Sequence, residues 1–169
     1  LLHWRGSTPL AEVVSELEKL VDAGKILRWG VSNFDVADME ELFRVPGGDR
    51  CATNQVYYSL SARGPGFDLV PWLQSRDVVT MAYSPIDQGA LAANKALAAV
   101  AERRGLTAAQ LALAWLIAQP GVMAIPKATS EAHLRENLAA HDLVLDDAER
   151  AALDRAFPPP RRKTPLRMI

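Results

Sequence analysis

Ile26-Leu-Arg-Trp-Gly30-Val-Ser32-Asn33-Phe34-Asp35 compresses a complete structural unit into one short stretch. Its first part is an apolar run with β-forming residues, preceded by Gly24 and ended by a polar pair, which is how a buried strand reads. Asp35 then stands where a helix N-cap belongs. Met39, Leu42 and Phe43 recur on one side of the helix it would open, and Gly47-Gly48 would close it.

The same unit recurs outward in both directions. Further strand-like runs lie at Leu1–Trp4, Ala52–Tyr58, Val78–Ser84 and Val122–Pro126, starting about every 25 residues with one longer gap before the last. Between the first two runs, Thr8 can cap a helix beginning at Pro9, with Leu10, Val13, Val14, Leu17, Leu20 and Val21 at helical spacing up to Gly24. The third interval carries Phe67, Leu69, Val70, Trp72 and Leu73, with Pro71 tolerable only near a first turn. The long interval holds two helices, Asn94 to Arg104 before Gly105 and another from the Thr107–Gln110 capping box. Ser130 caps a helix through Leu138, and Asp146 with Glu149 opens a last one before Pro158-Pro159-Pro160.

Strands alternating with helices predict right-handed βαβ units around a parallel sheet. A (β/α)8 barrel uses about 250 residues. The 169 residues and five strand-like runs here therefore correspond to about five of its eight units. A doubly wound open sheet of five strands also fits, but its first βα turn normally carries G-x-G-x-x-G, which does not occur. Periodicity alone leaves both architectures open.

Composition narrows the function classes. Hydrophobic residues at 49% and charged residues at 23% are those of a chain that buries a core. A net charge of −1 supplies no general attraction for nucleic acid or an anionic membrane surface. Cys51 is the only cysteine, so neither an intramolecular disulfide nor a cysteine zinc cage can form, and the cytoplasm is the expected compartment. His3, His133 and His141 are too scattered to predict a metal site. Apolar stretches are broken every few residues, so no membrane span or export leader is expected.

Both candidate architectures place function at the carboxyl ends of the strands. Those ends read His3-Trp4, Ser32-Asn33, Gln55 with Tyr57-Tyr58, Tyr83-Ser84-Pro85 and Lys127. Ser32, Asn33 and Gln55 offer amide and hydroxyl groups able to fix a carboxamide, and Tyr83 offers a flat ring. Lys127, with Thr129 and Ser130 at a helix amino end, forms an anion site in which a cation, hydroxyls and free backbone N–H groups converge. Those parts suit a nicotinamide at one end of a groove and a phosphate at the other.

The set Leu-Leu-His3-Trp4, Gly30-Val-Ser32-Asn33-Phe34, Asn54-Gln55-Val-Tyr-Tyr, Tyr83-Ser84-Pro85 and Ile125-Pro126-Lys127, with Arg135-Glu136-Asn137 beyond, resembles the aldo-keto reductases in order and spacing over essentially the whole chain. The resemblance implies an α/β fold, a partial TIM (β/α)8 barrel of five parallel strands corresponding to strands four to eight, with the first three units missing. Residues 1–157 would then be barrel and residues 158–169 a Pro/basic tail.

The resemblance also implies NADP(H)-dependent reduction of aldehydes or ketones. His3 matches the catalytic histidine beside the substrate carbonyl, and Trp4 a wall of the substrate mouth. Ser32, Asn33 and Gln55 match the carboxamide-holding groups, and Tyr83 the ring under the nicotinamide. Ser84 and Ile86 lie where the pyrophosphate loop runs, Lys127, Thr129 and Ser130 where the adenosine 2′-phosphate sits, and Glu136 and Asn137 at the adenine. His133 stands where relatives often carry arginine, which weakens the expected preference for NADP over NAD.

The family's proton-donating tyrosine and its lysine and aspartate belong to the missing units, so the chain alone is expected to be inactive or nearly so. The alternative is a non-catalytic half barrel that binds nucleotide or pairs with a partner through its two exposed strand edges, Leu1–Trp4 and Val122–Pro126. The tail reads as mostly solvated, while the resemblance implies the alternative that this C-terminal segment lines the substrate mouth and sets substrate choice.

Overall fold

A computed structural model describes residues 1–169. The elements run α1 (Leu10–Asp22), β1 (Val31–Ser32), α2 (Val36–Arg44), β2 (Thr53–Tyr57), α3 (Leu69–Gln74), β3 (Val79–Tyr83), α4 (Lys95–Ala101), α5 (Ala108–Ile117), β4 (Val122–Ala124), α6 (Glu131–Ala139) and α7 (Asp147–Ala156). The capping residues explain most of the boundaries. Asp35 with Asp38, Thr107 with Gln110 and Asp146 with Glu149 each close a reciprocal capping box, and the Asn94 and Ser130 side chains accept from Leu97 N and His133 N. Thr8 does not cap α1: Pro9 is its N-cap residue and contributes no side-chain hydrogen bond. Pro71 lies within the first turn of α3, where its missing N–H costs no helical bond.

All four strands are parallel and lie in the order β1-β2-β3-β4. Sequential neighbours with no reversal leave no topological switch point, which separates this sheet from the doubly wound arrangement and makes it an arc of a barrel. The sheet has four strands and not the five expected. Leu1–Trp4 makes a single parallel bridge, Leu2 to Val31, with Leu2 N donating to Gly30 O at 2.9 Å. The run that begins at Ile26 likewise narrows to two residues.

The pairings Val31↔Asn54, Asn54↔Thr80 and Thr80↔Val122 define one layer of the sheet. Ser32↔Gln55, Gln55↔Met81 and Met81↔Met123 define the next, with His3 one residue beyond Leu2 at its edge. Side chains alternate between two faces. Val31, Val56 and Ala82 point toward the helices and join a core that includes Leu42, Leu73, Leu97, Leu111 and Leu153. The opposite face carries Gln55, Tyr57, Met81 and Tyr83 and is partly open: Val79, Met123 and Ile125 are 37%, 43% and 38% exposed.

Gly30 is required by close approach. A Cβ at that position would lie 2.4 Å from the Thr53 carbonyl oxygen, so only glycine lets β1 begin beside β2. No helix is long and apolar enough to cross a membrane.

Most residues of the tail are exposed, as expected, yet Leu166 packs against the core. Lys163 and Arg167 reach acidic side chains on the loops that follow the strands.

Candidate functional site at the strand ends

The carboxyl end of β1 presents Ser32 and Asn33, both buried. Ser32 Oγ donates to the Gln55 carbonyl oxygen at 2.8 Å, and Asn33 Nδ2 donates to Ser32 Oγ at 3.2 Å. The Tyr83 hydroxyl, at the end of β3, donates to Asn33 Oδ1 at 3.1 Å. Three adjacent strand ends are thus linked by one chain of hydrogen bonds. Gln55 joins it through its backbone, which leaves its half-buried carboxamide free on the open face.

Asn33 adopts a left-handed backbone, φ 60°. Asn54 holds this turn from below. Fully buried on the helix side of β2, it donates from Nδ2 to the Phe34 carbonyl at 2.8 Å and accepts from Phe34 N at 3.4 Å. The sequence places Asn54 beside Gln55 but contains no sign that its side chain turns away to support residues 33–34.

Left-handed backbone outside glycine is concentrated here. Of the residues Asn33, Asp77, Ser84, Asp87 and Gln88, all but Asp77 lie at the ends of β1 and β3. Such residues persist where surrounding contacts over-determine them, and they cluster at functional sites. Asp87 accepts a short hydrogen bond from the Tyr57 hydroxyl, another from Ser61 Oγ at 2.8 Å, and pairs with Arg167 Nη2 at 3.1 Å. Burial alone would raise the Asp87 carboxyl, but the Tyr57 and Ser61 hydrogen bonds and the Arg167 charge hold it below its ordinary value. Burial and the same Asp87 contact push Tyr57 up to about 12. Tyr57 and Tyr83 meet edge to face at 5.3 Å between ring centroids. Sequence reasoning missed this cluster because its members are widely separated along the chain.

The other predicted residues fall at the same end of the sheet. His3 and Trp4 lie at the β1 edge, exposed, with their rings 5.4 Å apart. Ser84 and Ile86 are half-buried in the loop after β3. Lys127 and Thr129 follow β4 and are exposed. Ser130 spends its hydroxyl capping α6, accepting from His133 N at 3.2 Å. Glu136 and Asn137 are half-buried further along α6. Arg135 pairs with Glu131 on the outer surface, away from His133. The predicted residues thus follow the strand ends and continue along α6. A cavity of about 510 Å³, lined by Val122, Met123, Leu143 and Val144 among others, contains none of the predicted residues.

A model of the aldo/keto reductase family matches residues 1–157. The chain belongs to the aldo/keto reductase family. It is 49% identical over its whole length to methylglyoxal reductase YeaE of Escherichia coli and covers 61% of that protein. It is 33% identical over 91% of its length to glyoxal reductase of Bacillus subtilis, covering 54% of that relative. Among solved structures, an aldo/keto reductase from Klebsiella pneumoniae in complex with NADP and acetate superposes with a TM-score of 0.96 at 51% identity, over 99% of this chain and 61% of that one. The thermostable aldo-keto reductase Tm1743, in complex with epalrestat, superposes with a TM-score of 0.82 at 36% identity over 90% of this chain and 57% of its own. The chain therefore spans roughly three fifths of the length of these relatives.

Proposed function

We propose that residues 1–169 form the cofactor-binding arc of an NADP(H)-dependent carbonyl reductase that acts on small aldehydes or ketones, with 2-oxoaldehydes as the first class to test. The observation that carries this reading is the linked cluster of Ser32, Asn33 and Tyr83 beside the free Gln55 carboxamide. The Klebsiella relative crystallised with NADP and the names of the methylglyoxal and glyoxal reductases support the cofactor and the substrate class.

The donor set fits the group. A nicotinamide carboxamide needs one acceptor and at least one donor in a plane, and the second N–H of Asn33 with the Gln55 amide offers both. The Tyr83 ring supplies the adjoining flat surface. Lys127 and Thr129 stand free at the amino end of α6 and would hold a phosphate, while Glu136 and Asn137 further along the same helix would meet the adenine. Ser84 and Ile86, half-buried in the loop after β3, would hold the pyrophosphate. When bound, NADPH supplies the hydride. His3 would hold the carbonyl oxygen, and Trp4 beside it would form an apolar wall for the substrate.

Proton delivery needs a group from outside these residues. Tyr57 and Tyr58 are both pushed up to about 12 chiefly by burial, and Tyr83 is raised for the same reason. The Tyr57 hydroxyl is moreover engaged as the hydrogen-bond donor to Asp87. None of the three is a suitable acid, so residues 1–169 by themselves would lose about 10² to 10⁴ in rate.

Titration of NADPH fluorescence tests the reading. Asn33→Ala or Gln55→Ala should weaken binding about fivefold to tenfold through the loss of a hydrogen bond, and Lys127→Met by at least as much. Unchanged affinity in all three variants would remove the assignment. Binding without turnover in a protein that also carries an acid would favour the non-catalytic alternative.

A further inference from the structure

The C-terminal segment is tied to the loops that follow three successive strands, and nothing in the cofactor reading requires it. Lys163 Nζ bridges Asp35 Oδ2 at 2.9 Å, after β1, and Asp68 Oδ2 at 3.2 Å, after β2. Arg167 Nη2 meets Asp87 Oδ1 at 3.1 Å, after β3, and its guanidinium lies 4.5 Å from the centroid of the Tyr57 ring. The Ile169 backbone reaches the Tyr83 hydroxyl. Arg167 thus satisfies both the carboxylate and the aromatic face of one cluster.

That cluster sits inside the most unusual backbone of the chain. Ser84, Asp87 and Gln88 are left-handed at φ 49°, 50° and 54° within one short loop. Asp tolerates this conformation, whereas Gln and Ser have less local compensation for it. Asp87 gathers three side-chain contacts on the loop, from Tyr57, Ser61 and Arg167, and Tyr57 also meets Ser84. Tyr57 and Ser61 belong to β2 and the turn after it. Arg167, from the C-terminal segment, is the sole charged partner of Asp87.

We propose that Arg167 is a positioning residue for the loop Ser84–Ala90: by pairing with Asp87 it holds the left-handed turn beside Tyr83, and it thereby slows release of a bound nicotinamide dinucleotide. The second half of this statement rests on the cofactor reading above; the first half does not.

Two measurements separate the halves. Hydrogen exchange without nucleotide reads the loop directly, because the amides of Asp87, Gly89, Ala90 and Leu91 bond to Ser84 O, Ile86 O, Asp87 O and Ile86 O at 2.9, 3.0, 3.0 and 3.3 Å. Arg167→Met should speed their exchange about tenfold and leave the amides of β2 and β3 unchanged, while Arg167→Lys should stay within about twofold of the parent. Stopped-flow NADPH fluorescence should then show dissociation accelerated by a similar factor in Arg167→Met and preserved in Arg167→Lys.

Unchanged loop exchange in Arg167→Met overturns the proposal, as does a lysine variant that behaves like methionine. Faster exchange with unchanged NADPH dissociation overturns the link to release. A parent protein that binds no NADPH refutes the cofactor reading, and the exchange result still decides whether Arg167 positions the loop.

Discussion

Replacing Asn54 by alanine should damage the site without touching any group proposed to meet the cofactor. The Asn54 side chain is fully buried and makes two hydrogen bonds to a single backbone residue, Phe34, itself fully buried. Alanine removes both and fills little of the space, which leaves the Phe34 N–H and C=O without those partners in a dry environment. A buried polar group stripped of its partner costs about 1–3 kcal/mol. The bond from Phe34 N is long at 3.4 Å and counts toward the lower end, so the total is about 2–4 kcal/mol. For a chain of this size that corresponds to a fall in Tm of roughly 5–12 °C. Urea unfolding followed by circular dichroism measures the difference, and NADPH titration of the still folded variant should show weakened binding because Asn33 loses its support. A loss below about 0.5 kcal/mol, the range of ordinary surface substitutions, would refute the claim that Asn54 holds the turn.

Gly30→Ala should destabilise by about 1–3 kcal/mol, since its Cβ would meet the Thr53 carbonyl and the strands must separate to admit it; a neutral midpoint in urea would show that β1 does not approach β2 so closely. Alkaline titration tests the tyrosines. Tyr57 and Tyr58 stand at about 12 in the folded chain, against an ordinary value of 10.0. The unfolded state therefore releases those protons first. Folded stability is complete below pH 10 and falls as pH rises toward 12. Absorbance at about 295 nm should rise only together with loss of the far-ultraviolet signal. A separate step near pH 10 in an intact fold would contradict the burial assigned to these rings.

Much of this molecule was legible from local chemistry. The caps at Asp35, Thr107 and Asp146 and the stop at Gly105 are contacts within a few residues of the chain, so the residue types alone specify them. The alternation of strand and helix is equally local, as is the polar character of every strand end. The Ser32-Asn33, Gln55 and Tyr83 positions could be named as a group because parallel βαβ winding puts all carboxyl ends on one side.

Strand extent depended on partners and was overestimated. Leu1–Trp4 has the composition of a strand but pairs at Leu2 alone, since a ladder needs a neighbour in register along its whole length. The choice between a doubly wound sheet and a barrel arc depended on strand order, which periodicity does not encode; the order β1-β2-β3-β4 decided it. The inward turn of Asn54 and the meeting of Tyr57, Ser61, Asp87 and Arg167 also belong to tertiary structure. The sequence by itself determined the helices, all their expected caps but that of Thr8, and the side of the sheet on which chemistry gathers, because those follow from interactions between near neighbours. Only the folded chain decided which hydroxyl meets which carboxylate and where the tail comes to rest, because those contacts join residues far apart in sequence whose distance is set by the packing of everything between them.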